Sequence, residues 1–288
     1  MIDKNLTNLD RAEILTQALP YFKKYHDEIV VIKYGGNAMV SEELKQQVME
    51  DVVLLHLIGV KVVLVHGGGP EITDTLNRLG KESQFVDGLR VTDKETADVV
   101  QMVLAGKINK SLVNLIQING GKAIGLSGLD GHMIEAKTKD ERLGFVGKIT
   151  KVDVTPVLDI LEKGYIPVVS TIGCDNEGNV YNINADTAAA FVAGAMNAKR
   201  LISMTDIAGV LKDKDDPNSI IKSINIEEAR ELFGTGVISG GMIPKVECCI
   251  EAIRKGVSKV VIMDGRIPHS ILIELFTDEG TGTMVSKE

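Results

Sequence analysis

The 288-residue sequence predicts an α/β fold: a three-layer sandwich around a central, mainly parallel open sheet, with an extension helix at the N-terminus. Three observations carry that expectation. Short apolar runs rich in β-branched residues alternate with helix-period patterns along most of the chain. The runs have few polar interruptions, as expected of parallel strands covered on both faces. Glycine-rich turns follow the first two runs directly, at the strand ends where open parallel sheets receive ligands.

The elements follow in order. In the first 26 residues, Ile14, Leu15, Ala18, Leu19 and Phe22 form an apolar stripe at helical spacing behind the cap Asp10. Pro20 is expected to kink this helix. Its apolar face packs either on its own domain or on a partner subunit. "EIVVIK" (28–33) reads as the first strand and 41–58 as a helix with Leu44, Val48, Val52 and Leu55 on its apolar side. Strands are expected at 61–66, 122–126, 166–170, 200–204 and 259–263, and helices at 70–79, 93–105, 155–163, 184–196, 226–232 and 244–255. Residues 132–137 with 145–152, and 172–182, read as two β-hairpins. No repeat, low-complexity tract or Pro/Gly/Ser linker divides the chain, so a second lobe would share the sheet.

Composition narrows the function. The chain is 44% hydrophobic and 25% charged with a net charge of −8, which argues against nonspecific nucleic-acid and anionic-membrane binding. The cysteines, Cys174, Cys248 and Cys249, lack metal-ligand spacing and are expected to be reduced. There is no signal-peptide pattern and no apolar run of the roughly 20 residues that span a bilayer, so a cytoplasmic location is expected.

At the strand tips, the first run gives Lys33, Gly35, Gly36 and Asn37, and the second gives His66, Gly67, Gly68, Gly69 and Pro70. Bare glycines let backbone N–H groups approach anionic oxygens, and the helix behind adds positive potential. Either glycine cluster alone reads as turn punctuation. Both together, beside Lys33, read as a phosphate site. A second glycine–lysine segment, "SGGMIPKVECC" (239–249), places Lys245 in a first helical turn, which an anionic ligand would favour. The Walker loop, the G-x-G-x-x-G fingerprint and the H-R-D and D-F-G signatures are absent. So is any G-x-S-x-G or H-E-x-x-H pattern, and His66 reads as a residue that orients its turn. What remains is two lysines, two glycine cradles, the polar "NIN" (182–184) and Asp186 opening a helix. These can neutralise phosphates but supply no base, which suits phosphoryl transfer to an acceptor already deprotonated, a carboxylate.

"VIKYGGNAM", "VVLVHGGGPEI", "VDGLRVTD", "YNINADTAA" and "GGMIPKV", in that order, resemble the amino acid kinase family, and most closely its acetylglutamate-phosphorylating branch. The resemblance runs from about residue 10 to the C-terminus. It implies that Lys33 and Lys245 contact the transferring phosphoryl group of ATP and that Asp186 holds both lysines. It implies phosphate contacts from Gly35, Gly36 and Gly68, and N-acetyl-L-glutamate contacts from Gly68, Gly69, Arg90 and Asn182. The nucleotide would lie near 205–215 and 240–245, with Mg²⁺ carried by ATP rather than by protein ligands. The implied division is an oligomerisation helix at 1–26, an N-lobe for acetylglutamate binding and dimerisation at 27–195, and a C-lobe for ATP at 196–288. Arginine-inhibited relatives, hexamers built as a trimer of dimers, resemble this chain in their N-terminal extension. On that likeness Tyr21, Lys212, His269, Glu274 and Gly282 are the candidates for an L-arginine inhibitor site. Some relatives also bind the PII signalling protein. The alternatives weighed are another acceptor within the family, a non-catalytic arginine or nitrogen sensor on the same fold, and a nicotinamide dehydrogenase.

Overall fold

The computed structural model describes residues 6–39 and 41–288, so residues 1–5 of the predicted extension lie outside the described residues. Helices α1 (Asn8–Gln17) and α2 (Leu19–Tyr25) precede β1 (Ile29–Tyr34), α3 (Glu42–Leu57), β2 (Lys61–His66) and α4 (Gly69–Arg78). A small hairpin, β3 (Phe85–Val86) and β4 (Leu89–Arg90), leads into α5 (Lys94–Gln101), a π-helical segment (Met102–Ile108) and α6 (Asn109–Ile118). Then come β5 (Ala123–Ser127), β6 (Ile134–Thr138), β7 (Gly147–Val152), α7 (Thr155–Glu162), β8 (Ile166–Ser170), β9 (Ile172–Cys174), β10 (Val180–Asn182) and α8 (Ala185–Ala195). The chain continues through β11 (Arg200–Thr205), β12 (Ser223–Asn225), α9 (Ile226–Gly234), α10 (Met242–Arg254), β13 (Lys259–Asp264), α11 (Ser270–Phe276) and β14 (Thr283–Ser286).

Eight strands form the central sheet in the order β12-β14-β13-β11-β1-β2-β8-β5. Every ladder in it is parallel except that of β13 with β14. Alternation along the strands feeds two cores. Val30, Ile32, Val62, Leu64, Ile202 and Met204 enter the core under α3 and α6, whereas Val31, Val63, Val65, Leu201 and Ile262 enter the core under α8 and α10. Lys33, two residues beyond Val31, therefore faces the α8–α10 side. Its register partner across the ladder is Ser203 of β11, two residues beyond Leu201. This pairing brings the N-terminal third of the chain against its C-terminal third at the middle of the sheet.

The two predicted hairpins do form, but they join: β6 and β9 pair in parallel, giving a second sheet in the order β10-β9-β6-β7. Three sequence expectations need correction. The helix expected at 93–105 does not stop there; the π-helical segment carries it on into α6, because Gly106 is accommodated by widened turns rather than ending the helix. Elements α11, β3, β4, β12 and β14 had no counterpart in the sequence reading; β14 is a strand because β13 offers it an edge, and β12 in turn adds to the edge of β14. At the N-terminus the cap is Thr7 rather than Asp10. The Thr7 hydroxyl accepts from Asp10 N–H at 3.1 Å while the Asp10 carboxylate accepts from Thr7 N–H at 2.7 Å, a reciprocal capping box. The kink expected at Pro20 is a full break at Ala18, with Pro20 in the first turn of α2.

Helix α2 docks through Phe22, edge-on to Phe276 of α11 with ring centroids 5.2 Å apart, and through Tyr25, whose hydroxyl accepts from the buried Arg200 guanidinium. Helix α1 buries none of its residues, and Leu9, Ile14 and Leu15 stand exposed on it, with Leu19 exposed at the start of α2. Among the described residues no helix is long and apolar enough to cross a membrane.

Candidate active site

Lys33 is the penultimate residue of a buried strand, and the turn that follows has no side chains for a steric reason. A Cβ on Gly35 would stand 3.1 Å from the Lys33 ammonium, so glycine leaves the amine room to lie beneath the turn. Gly36 adopts φ +71°, in the left-handed region, and a Cβ there would meet the Asp206 carboxylate at 2.5 Å. The first glycine turn is thus closed onto the tip of β11. The second turn, at Gly67–Gly69, opens α4; a Cβ on Gly68 would collide with Ile108 and Leu104 of the π-helical segment.

Asp186 occupies the second position of α8, where Asn184 caps the helix by accepting from Thr187 N–H at 3.0 Å. Its carboxylate draws in two ammonium groups and a hydroxyl. Lys33 Nζ lies 3.0 Å from Oδ1, Lys245 Nζ lies 3.6 Å from Oδ2, and Ser203 Oγ donates to Oδ1 at 3.2 Å. Lys33 Nζ also donates to the Met204 carbonyl at 3.2 Å. Burial works against the charge on Asp186, but the two ammonium groups outweigh it, aided by the Lys33 and Ser203 hydrogen bonds. The carboxyl is held below the ordinary carboxylate range. The side chain of Lys33 is 7% exposed and that of Lys245 is 26% exposed, so the second ammonium reaches into open space. That space is a cavity of about 740 Å³ lined by Asp186, Lys245, Gly241 and Asn184 among others.

A smaller cavity of about 190 Å³ adjoins it, sharing Gly88, Leu89 and Asn184. Gly67, Gly68, Gly69, Arg90 and Asn182 line it. Arg90 is buried and fixed in plane: it donates to the Gly69 carbonyl at 2.9 Å, to the Thr73 hydroxyl at 2.8 Å and to Ser83, and it stacks over Phe85 at 4.8 Å. Asn182 Nδ2 donates to Thr92 Oγ1 at 3.3 Å.

The structure therefore gathers Lys33, Asp186 and Lys245 into one cluster, and Gly68, Gly69, Arg90 and Asn182 around the neighbouring cavity, with the turn of Gly35 and Gly36 against Lys33. The five other candidates do not line these cavities. Tyr21 donates to Asp278 at 2.7 Å, His269 pairs with the buried Asp51 at 2.6 Å, and Glu274 accepts from Thr281 N–H at 3.0 Å, all around α11. Gly282 packs against the Ile262 carbonyl of β13, and Lys212 lies exposed on the loop between β11 and β12. Ser203 escaped the sequence reading. Its signal was a hydroxyl inside "RLISM", an otherwise apolar buried run apart from the Arg200 that opens it, and its meaning appears only with the register to Lys33.

The amino acid kinase family profile matches residues 28–264. The acetylglutamate kinase of Brachyspira hyodysenteriae is 58% identical over 287 residues, covering 99% of this chain and 100% of its own. That of Moorella thermoacetica is 53% identical, covering 97% of this chain and 98% of its own. Among solved structures, N-acetylglutamate synthase from Neisseria gonorrhoeae complexed with coenzyme A and N-acetyl-glutamate superposes with a TM-score of 0.83 at 23% identity. The match covers 96% of this chain and 63% of the synthase chain, so this chain spans less than two thirds of that protein. Carbamate kinase from Giardia lamblia bound to AMP-PNP gives a TM-score of 0.64 at 19% identity over 91% of this chain and 99% of its own. At these identities the two structures speak to the fold alone, and they share it. With a family profile spanning most of its length and relatives above half identity from end to end, the chain belongs to the amino acid kinase family.

Proposed function

We propose that this chain transfers the γ-phosphoryl group of ATP to the γ-carboxylate of N-acetyl-L-glutamate, giving N-acetylglutamyl 5-phosphate and ADP on the route to arginine. One observation carries the chemistry: two ammonium groups from distant parts of the sequence meet on a single carboxylate, beside two glycine turns. The relatives named acetylglutamate kinase support the choice of acceptor.

In this reading residues 27–195 hold acetylglutamate and residues 196–288 hold the nucleotide. The Arg90 guanidinium, held over the Phe85 ring, exchanges its bonds to the Gly69 carbonyl and Thr73 hydroxyl for a fork to the substrate α-carboxylate. Asn182 and the Gly68–Gly69 backbone complete the cradle. The substrate γ-carboxylate is ionised at neutral pH and needs no general base. It attacks the γ-phosphorus in line, the bond to the ADP oxygen breaks, and charge spreads over the equatorial oxygens. Lys33 and Lys245 stabilise that charge, and Asp186 keeps both in position without entering the reaction. N–H groups of Gly36 and Gly68 donate to phosphate oxygens. A Mg²⁺ ion would arrive on the ATP phosphates and neutralise part of their charge, needing few protein ligands.

Regulation by L-arginine belongs to the same proposal. Tyr21 lies on α2 and Glu274 on α11, which pack together through Phe22 and Phe276, while His269 caps the other end of α11 against α3, so a ligand held by α11 would feel the N-terminal helices. The exposed Leu9, Ile14 and Leu15 of α1, with Leu19 at the start of α2, suit burial against a second copy, in line with a ring of dimers.

A coupled ADP-release assay with N-acetylglutamate, carbamate, aspartate, glutamate and UMP as acceptors tests the substrate; preference for any but the first overturns it. Lys33→Ala and Lys245→Ala should each lower kcat by about 10²–10³, the loss seen on removing one preorganised donor, and a variant near wild-type kcat would refute its assignment. Arg90→Lys should chiefly raise the KM for acetylglutamate, because an ammonium cannot make the bidentate contact; a change confined to the ATP KM would move the substrate elsewhere. Deleting residues 1–25 should leave a dimer by light scattering with reduced arginine inhibition, whereas an unchanged assembly with unchanged inhibition would remove the regulatory reading.

A further inference from the structure

His66 closes β2, is fully buried, and is the one strand-tip side chain of the second glycine turn that phosphoryl transfer leaves without a task. Its surroundings determine which nitrogen carries the proton. Asn109, the first residue of α6, is also fully buried. Its amide nitrogen donates to the Val168 carbonyl of β8 at 2.8 Å and to the Leu126 carbonyl of β5 at 3.2 Å, while its amide oxygen accepts from Lys110 Nζ at 3.1 Å. Two carbonyls on one side and an ammonium on the other permit only this orientation of the amide. The same NH₂ group stands 3.2 Å from His66 Nε2, sharing its two hydrogens among the ring nitrogen and the two carbonyls. The Gly67 carbonyl, 2.9 Å from His66 Nδ1, can only accept, so the proton is on Nδ1. A proton on Nε2 as well would set donor against donor. Burial acts in the same sense and pushes the imidazole down to about 4, with Lys110 adding repulsion, so the ring is neutral at working pH.

The consequence falls on the next peptide. The chain has no cis peptide bonds among the described residues, and in a trans peptide C=O and N–H point in opposite directions. Once the Gly67 carbonyl is drawn down to His66, the Gly68 N–H is turned the other way, toward the cavity that Gly67, Gly68 and Gly69 line. A glycine pair has little intrinsic preference to hold that orientation. Beneath it, the contact of Gly68 with Leu104 and Ile108 fixes the height of the peptide but not its rotation. Asn109 can reach in because Gly125 in β5 has no Cβ to block its amide oxygen.

We propose that Asn109 and His66 form a positioning relay that fixes the Gly67–Gly68 peptide so that the Gly68 N–H is aimed at the migrating phosphoryl group. The relay connects the tips of β2, β5 and β8 to one backbone donor. Neither residue touches substrate. The step rests on the kinase reading for what the N–H meets, while the peptide orientation itself is independent of that reading.

The test uses the full chain in three arms. In the wild type, a long-range ¹H–¹⁵N histidine spectrum should show His66 as the neutral Nδ1–H tautomer from about pH 5.5 to 8; an Nε2–H tautomer or a charged ring overturns the relay. Two variants then separate aim from packing. In H66N the side-chain amide nitrogen sits where Nδ1 was and can still donate to the Gly67 carbonyl; in H66Q it sits where Nε2 was and cannot. With comparable losses of Tm, kcat should fall about threefold in H66N and at least about thirtyfold in H66Q, with both KM values within about threefold. Equal kcat in the two variants, or losses that simply follow Tm, would make His66 a packing residue. Should the wild type fail to phosphorylate N-acetylglutamate, the substrate reading falls, and the relay is decided by the Gly68 amide resonance. H66Q must shift that resonance well beyond H66N, and equal shifts overturn the proposal.

Discussion

The carboxylate of Asp186 carries one negative charge between two ammonium groups, so the trio is left with a net positive charge in a largely buried place. Burying charge without full compensation is unfavourable, and a buried pair that loses one partner is destabilised by about 3–5 kcal/mol. Such a cluster is poorly explained as a device for stability. On the proposed function it is a site for an anion, and the two glycine turns beside it would admit phosphate oxygens. In that reading Asp186 has two tasks: it offsets part of the lysine repulsion, and it sets the spacing of the two ammonium groups for the transferring phosphoryl.

The fold delivers this arrangement through strand alternation and register. Lys33 and Ser203 are partners across adjacent parallel strands and face the same side, where α8 brings Asp186 and α10 brings Lys245. A shift of one residue in that ladder would send Lys33 into the opposite core. The site is thus specified by the same alternation that sorts valines and isoleucines into two cores. The polar contacts of Asn109 play a comparable part on the neighbouring strands, tying three strand tips together under the second glycine turn.

Much of this was legible in the sequence. The six parallel strands from β13 to β5 are apolar runs with few polar interruptions, and seven of the eight helices between them, all but α6, have a counterpart in the sequence pattern. Lys33 and the glycines stood out because charge and bare backbone at strand tips have few uses. The roles of Arg90 and Asn182 came with the family resemblance rather than from spacing. What could not be read depends on tertiary placement. Ser203 is a lone hydroxyl in an apolar run and Asn109 one of several polar residues in "KINKS" (107–111), and only register and approach give them partners. Strands β12 and β14 have no strong pattern of their own, and the continuation of α5 into α6 runs through a glycine that ordinarily argues for a stop.

The central claim is that Lys33 and Lys245 act on one phosphoryl group. A crystal structure with MgADP, a planar metal-fluoride mimic of the transferring group and N-acetylglutamate tests it most directly. The account predicts both Nζ atoms within hydrogen-bond distance of fluorines on that single mimic, with Asp186 still holding each lysine. Lysines directed to separate ligands, or a mimic seated away from Asp186, would contradict it.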